Sequence, residues 1–196
     1  MSGRRKIIVV TDGDLAAQRA VKKAAENIGA RCISASGGSP TPLEGDEIIK
    51  MIQTAPHDPV VVMVDDRGNA GIGKGEQVLF HIANHPEIEV LGVIAVASNT
   101  DNVNGTRVDC SVTRSGNIIN GSVDKEGLRQ SGMIVYGDTV DILEKCNIPT
   151  IIGIGDIGKM GGKDRCTIGA PVITKAMKEI LIRSGYKIEN GKNKES

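Results

Sequence analysis

Four aspartates follow two apolar runs of the sequence, and their positions suit metal or phosphate chemistry. Asp12 and Asp14 follow the first run, and Asp65 and Asp66 follow another. Both runs are short and β-branched, which predicts buried strands of a parallel sheet. If the two strands are neighbours, their carboxyl ends meet and the four carboxylates converge on one crevice. We therefore predict a site for Mg²⁺ or Ca²⁺, which prefer oxygen ligands.

This arrangement resembles the acidic pockets of Toprim and receiver domains, which place carboxylates at strand ends. A second interpretation needs no ligand. Asp14 is placed to cap the helix that follows it, and the other three aspartates would then be solvated loop residues. The sequence leaves both interpretations open, and strand order decides between them.

The segment from Gly68 to Gly75 approximates the phosphate-binding loop GxxxxGK[ST]. Its last position is glycine, so the hydroxyl that would hold Mg²⁺ is missing and nucleoside triphosphate hydrolysis is disfavoured. Gly73 and Lys74 remain candidates for contact with a ligand. The simpler interpretation is that the glycines permit a tight turn into the next helix.

A second glycine motif, GIGDIG at residues 153–158, matches GxGxxG and follows a predicted strand. The residues after it are rich in glycine and charge, whereas a dinucleotide site requires a helix there. Dinucleotide binding is therefore disfavoured. We expect this loop to close over the carboxyl edge of the sheet. Its candidate contacts to a polar ligand are Gly153, Gly155, Asp156 and Lys159.

No catalytic residue is predicted. His81 and His85 could share a helix face, but the HExxH pattern and a third ligand are missing. The four cysteines form no CxxC pair, and we expect reduced thiols in an intracellular protein. The sequence contains no nucleophile elbow and no Ser, His and Asp set.

Composition argues against nucleic acid as a partner. The 24 basic and 24 acidic residues give a net charge of zero, and aromatic residues make up only 2%. Neither a basic field nor stacking platforms are available, so we expect no nucleic-acid binding.

The amino-terminal apolar run is too short for a signal peptide, and no run of about 18 apolar residues predicts a transmembrane segment.

Repeated strand and helix patterns predict an α/β fold, a three-layer α/β/α sandwich that is Rossmann-like or flavodoxin-like. We expect a mostly parallel five-stranded sheet, with order 2-1-3-4-5 favoured, and a β-hairpin insertion within residues 100–133. Residues 1–187 would form a single domain, followed by a polar tail at 188–196. The predicted strands are 7–10, 31–35, 60–64, 89–96 and 150–154, and the predicted helices are 15–28, 43–54, 76–84, 137–145 and 171–184.

Several segments together resemble the stage V sporulation protein AE family over nearly the whole chain. They are VTDGD at 10–14, PHDPVVVMVDDRG at 56–68, EVLGVIAVAS at 89–98, TRVD at 106–109, GIGDIGKM at 153–160 and ILIRSG at 180–185. The family name is shared with a small membrane protein. The lack of a predicted span places the resemblance with the soluble member.

The resemblance implies an endospore-forming bacterium and an operon that moves dipicolinic acid, as its calcium complex, into the developing spore and out at germination. It implies a soluble or peripheral partner of the other stage V sporulation A proteins at the inner spore membrane. It brings no reaction and no catalytic residues. We therefore favour a non-enzymatic accessory protein with a ligand or cation site at the carboxyl edge. The alternative is a Mg²⁺-dependent phosphoryl-transfer or phosphate-ester enzyme that uses the four aspartates, with Lys74 or Lys159 on phosphate.

Overall fold

The computed structural model describes residues 3–68 and 72–188. Its strands are β1 (Arg5–Val10), β2 (Arg31–Cys32), β3 (Val60–Met63), β4 (Ile88–Val96), β5 (Thr106–Arg107), β6 (Cys110–Val112), β7 (Ile118–Ile119), β8 (Ile134–Val135) and β9 (Ile151–Ile154). Its α-helices are α1 (Leu15–Ile28), α2 (Gly45–Thr54), α3 (Lys74–Ala83) and α4 (Pro171–Ser184), and short 3₁₀ turns lie at Ser34–Ser36, Asp141–Lys145 and Cys166–Ile168.

The main sheet has seven strands in the order β2-β3-β1-β4-β9-β6-β7. Its strands are parallel, except that β7 runs antiparallel to β6. Strands β5 and β8 form a separate antiparallel pair. β1 therefore lies near the middle of the sheet, between β3 and β4.

Helices cover both faces of this sheet, which explains why its central strands are apolar throughout. Ile8 and Val10 of β1 pack on the face covered by α1 and α4. Ile7 and Val9 point to the opposite face, where they join the core formed with α2 and α3. All four side chains are fully buried. The predicted three-layer α/β/α fold is confirmed.

The predicted strand order 2-1-3-4-5 is wrong in one respect. The second strand pairs with the third, and the first strand is central. Both the first and the third strand are apolar runs buried on two faces, so patterning cannot show which of them is next to the edge strand. The expected pairing of the first and third strands is correct, because β1 and β3 are neighbours.

Strand β2 ends earlier than the predicted range of 31–35. Ser36 lies in the 3₁₀ turn that follows, where its hydroxyl donates to the carbonyl of Ile33 at 2.6 Å. The same oxygen accepts the N–H of Met63 at 2.9 Å. The buried Ser36 side chain thus takes the place of hydrogen bonds between strands at this point. Because this side chain is polar, the hydrophobic pattern of the sequence does not show where β2 ends. The helix predicted at 137–145 is also shorter, a 3₁₀ turn at Asp141–Lys145.

The predicted hairpin insertion is present as β6 and β7. It extends the sheet beyond five strands because β6 pairs with β9. Of the predicted tail, only Ile188 belongs to the described residues. Among residues 3–68 and 72–188, no helix has the length and apolar character that crossing a membrane requires.

Candidate functional site

A pocket of about 230 Å³ lies at the carboxyl ends of β1, β3, β4 and β9, and is called here the carboxyl-edge pocket. The chain leaving β1 enters α1 on one face of the sheet, whereas the chain leaving β3 enters α3 on the other face. The loops separate at such a switch point and leave a crevice. The pocket is lined by Thr11, Asp12, Asp14, Ser39, Asp65, Arg67, Gly68, Val96, Ser98, Asn99, Thr100, Asp138, Asp156 and Lys159.

Asp12 is a carboxylate of this pocket that lies close to other carboxylates. Burial raises its pKa well above the ordinary value, and the negative charges of Asp14, Asp65 and Asp156 act in the same direction. The N–H of Asp14, 3.3 Å from Asp12 Oδ1, opposes this only weakly. A positive charge placed beside Asp12 would relieve this repulsion.

Asp14 caps α1, which is the structural role that the sequence left open. Its Oδ1 accepts the N–H groups of Ala16 and Ala17, each at 2.8 Å. The helix ends at Gly29, which adopts a left-handed conformation with φ of 76°. Asp14 therefore lines the pocket with one carboxylate oxygen already engaged.

Asp65 and Asp66 point in different directions although they are adjacent. Asp65 lines the pocket, and its Oδ1 accepts the N–H of Arg67 at 2.7 Å. The carboxylate of Asp66 instead accepts the N–H groups of Gly75 at 2.6 Å and Glu76 at 3.0 Å, at the start of α3. Burial raises the pKa of both aspartates. Asp66 is thus a helix cap outside the pocket.

The four-carboxylate metal shell predicted from the sequence is therefore not formed. Within the described ranges 3–68 and 72–188, no group of three or more His, Cys, Asp or Glu side chains is arranged to hold a metal ion. The physical reason is that α3 needs acceptors for its first N–H groups, and Asp66 supplies them. A cation would need most of its ligands from another source.

Basic side chains also face the carboxyl-edge pocket. Lys159 Nζ lies 3.1 Å from Asp156 Oδ2, and this hydrogen bond raises the pKa of Lys159. Asp156 Oδ1 accepts the N–H of Gly158 at 2.9 Å. Arg67 lies across the pocket in a left-handed backbone conformation with φ of 57°. The pocket therefore presents charges of both signs.

Gly73 and Lys74 lie outside the pocket. Lys74 Nζ pairs with Glu44 Oε1 at 2.8 Å and donates to the carbonyl of Pro42 at 3.2 Å, which connects α3 to the start of α2. A Cβ on Gly73 would collide with the carboxylate of Asp66. These residues pack the start of α3, and residues 69–71 of the same glycine loop lie outside the described part of the chain.

Gly153 and Gly155 are required by packing against the insertion. A Cβ on Gly153 would lie 2.5 Å from Ser111 Oγ on β6. A Cβ on Gly155 would lie 2.5 Å from the backbone nitrogen of Gly127. Neither residue lines the carboxyl-edge pocket, so this glycine motif holds the loop that carries Asp156 against its neighbours.

Sequence reasoning missed several pocket residues. Ser98 and Asn99 come one residue after the end of β4, so the strand-end rule that selected the aspartates could have found them as well. Asp138 carried no such signal. It lies between β8 and a 3₁₀ turn, and its carboxylate accepts the N–H of Gly68 on the far wall. Such a contact between distant segments is visible only in the folded chain.

Comparisons with known proteins gave one match. The family model described as stage V sporulation protein AE1 matches residues 6–184. No match was found among curated proteins or among solved structures. The matched range contains every residue of the carboxyl-edge pocket.

Proposed function

The chain belongs to the stage V sporulation protein AE1 family, and from this premise we propose that it is a non-enzymatic accessory protein that binds a small, cation-bearing ligand. Membership of the family implies a role in sporulation. The ligand would occupy the carboxyl-edge pocket. Calcium dipicolinate, which the family resemblance implies, is the ligand that we propose.

The observation that carries this proposal is the combination of charges around Asp12. Asp12, Asp65 and Asp156 present carboxyl groups to the pocket, and a cation beside them would favour their ionised form, while the basic residues Lys159 and Arg67 also line it. A bare cation would find too few ligands here. A cation that arrives already chelated by an organic anion would meet the carboxylates, and the anion would meet the two basic side chains.

The magnesium-dependent enzyme is the weaker hypothesis. It required Asp12, Asp14, Asp65 and Asp66 in one metal shell, and Asp66 and Lys74 face away from the pocket. Asp14 has one oxygen committed to the cap of α1. The remaining carboxylates are better placed to attract the positively charged part of a ligand than to coordinate a catalytic metal ion together.

Calorimetric titration tests whether calcium dipicolinate is the ligand. We expect calcium dipicolinate to bind the unaltered protein saturably and calcium chloride to bind much more weakly. Asp12→Asn removes charge with little change in size, and should raise the Kd for the complex about tenfold. Asp46→Asn is the matched control, because Asp46 is an exposed aspartate on α2 that pairs with His81. Equal affinity for all three proteins, or no saturable binding, would contradict the proposal.

We further propose that the protein docks on the other stage V sporulation A membrane proteins at the inner spore membrane. The family assignment supports this partner class. Coexpression with those proteins, followed by capture in detergent through a tag on this chain, should recover them in a stable complex. Recovery no greater than with an unrelated tagged α/β protein would argue against docking.

A further inference from the structure

A second cavity of about 380 Å³ adjoins the carboxyl-edge pocket. Ser98 and Asn99, which follow β4, line both spaces. The far wall of the adjoining cavity is formed by residues 122–126, 130–131, 134 and 136 of the chain between β6 and β9. The two spaces therefore lie next to each other at the end of β4.

The adjoining cavity differs from the carboxyl-edge pocket in its chemistry. Hydroxyl and amide groups line it, together with Lys125 and a half-exposed Tyr136 ring. Both carboxylates of its lining are engaged, and one of them, Glu126, lies 3.7 Å from Lys125 Nζ. Asp124 accepts the N–H of Leu128 at 2.9 Å and the amide of Gln130 at 2.8 Å. The carboxyl-edge pocket and the adjoining cavity together are called here the groove. The end of the groove formed by the adjoining cavity therefore suits the organic part of a ligand and a negative group near Lys125.

A backbone hydrogen bond and a close packing contact join the walls of the two spaces. The N–H of Asp156, which lines the carboxyl-edge pocket, donates to the carbonyl of Lys125 at 2.9 Å. The backbone of Gly127 lies so close to Gly155 that no side chain fits between them. The wall of the adjoining cavity is thus bonded to, and packed against, the loop that carries Asp156.

We propose that the adjoining cavity is the second half of the binding site and takes the organic anion of a chelated cation. The cation lies at the carboxyl-edge pocket, the body of the ligand lies along Ser98 and against Tyr136, and a negative group of the ligand lies near Lys125. This rests on the proposed function and assigns residues to the part of the ligand that the carboxylates do not contact.

Two substitutions test this assignment by titration with calcium dipicolinate and, separately, with calcium chloride. Lys125→Gln and Tyr136→Ala should each raise the Kd for the complex about tenfold. The matched control is Lys50→Gln, an exposed lysine on α2. The weak response to calcium chloride should be the same in every variant.

The possible failures are distinguishable. If the unaltered protein binds no calcium dipicolinate, the proposed function fails and the groove fails with it. If it binds the complex and the two variants bind it as well as the unaltered protein does, the proposed function stands and the second half of the site is refuted. An equal loss of calcium chloride binding in the Lys125→Gln variant would also refute it, because Lys125 would then affect the binding of the cation and not only that of the organic anion.

Discussion

Replacing Glu76 by Gln should change how stability depends on pH. Glu76 lies in the first turn of α3, is 2% exposed, and accepts the N–H of Ile142 at 3.0 Å. Burial raises the pKa of Glu76 to about 7, and the charges of Asp66 and Asp141 act in the same direction. The N–H of Ile142 and the charge of Lys145 lower it. At neutral pH this carboxyl group is therefore close to its midpoint.

The sign of the effect follows from proton linkage. The folded pKa is above the ordinary value of 4.5, so the folded protein binds this proton more tightly than the unfolded chain does. The resulting stability is fully present below the unfolded pKa and is lost as pH rises through about 7. Between about pH 5 and about pH 8 the loss amounts to about 2 kcal/mol, at about 1.4 kcal/mol for each pH unit.

Urea unfolding of the Glu76→Gln variant and the unaltered protein at these two pH values measures this loss. Gln keeps an oxygen for the N–H of Ile142 but cannot ionise, and all other groups titrate in both proteins. The free energy of unfolding of the variant, relative to the unaltered protein, should rise by about 2 kcal/mol from about pH 5 to about pH 8. Glu26→Gln, at an exposed position on α1, should show no such trend. A relative stability that is constant, or that falls with pH, would refute the reasoning.

Three further substitutions test individual contacts by urea unfolding. Asp14→Ala removes the acceptor that caps α1 and should cost about 1 kcal/mol; a loss of only a few tenths would show that the cap is dispensable. Asp164→Ala removes the buried carboxylate that accepts the first N–H groups of α4 at 2.7 to 3.2 Å, and should cost about 3 kcal/mol. Gly155→Ala places a methyl group against the backbone of Gly127 and should cost about 2 kcal/mol, whereas an unchanged midpoint would contradict the tight packing.

Local signals predicted the ends of α1 and α4 correctly, whereas the helix predicted at 137–145 is a 3₁₀ turn. Asp14 and Gly29 mark the ends of α1, and Pro171 and Gly185 mark those of α4, because capping depends on a few adjacent residues. The parallel sheet and its two helical layers followed from fully apolar strands separated by helices. The order of the strands did not follow, since a strand that is buried on both faces has the same pattern beside any neighbour.

The candidate site was predictable in part. The strand-end rule placed Asp12 and Asp65 at one edge of the sheet, and that edge holds the carboxyl-edge pocket. The rule could not show that Asp66 turns towards α3, because that depends on where the helix begins. The contribution of Asp138 and the packing of Gly155 against the insertion both depend on segments far apart in sequence. Only tertiary structure reveals such contacts.

Amide shift mapping tests the central claim, that the carboxyl-edge pocket binds a cation-bearing ligand, most directly. ¹⁵N-labelled protein is titrated with calcium dipicolinate, and its amide resonances are followed by nuclear magnetic resonance. We expect saturable shifts concentrated at Asp12, Asp65, Ser98 and Asp156, with the α2 surface around Asp46 unaffected. Saturable shifts confined to another part of the chain, or none at all, would contradict the claim.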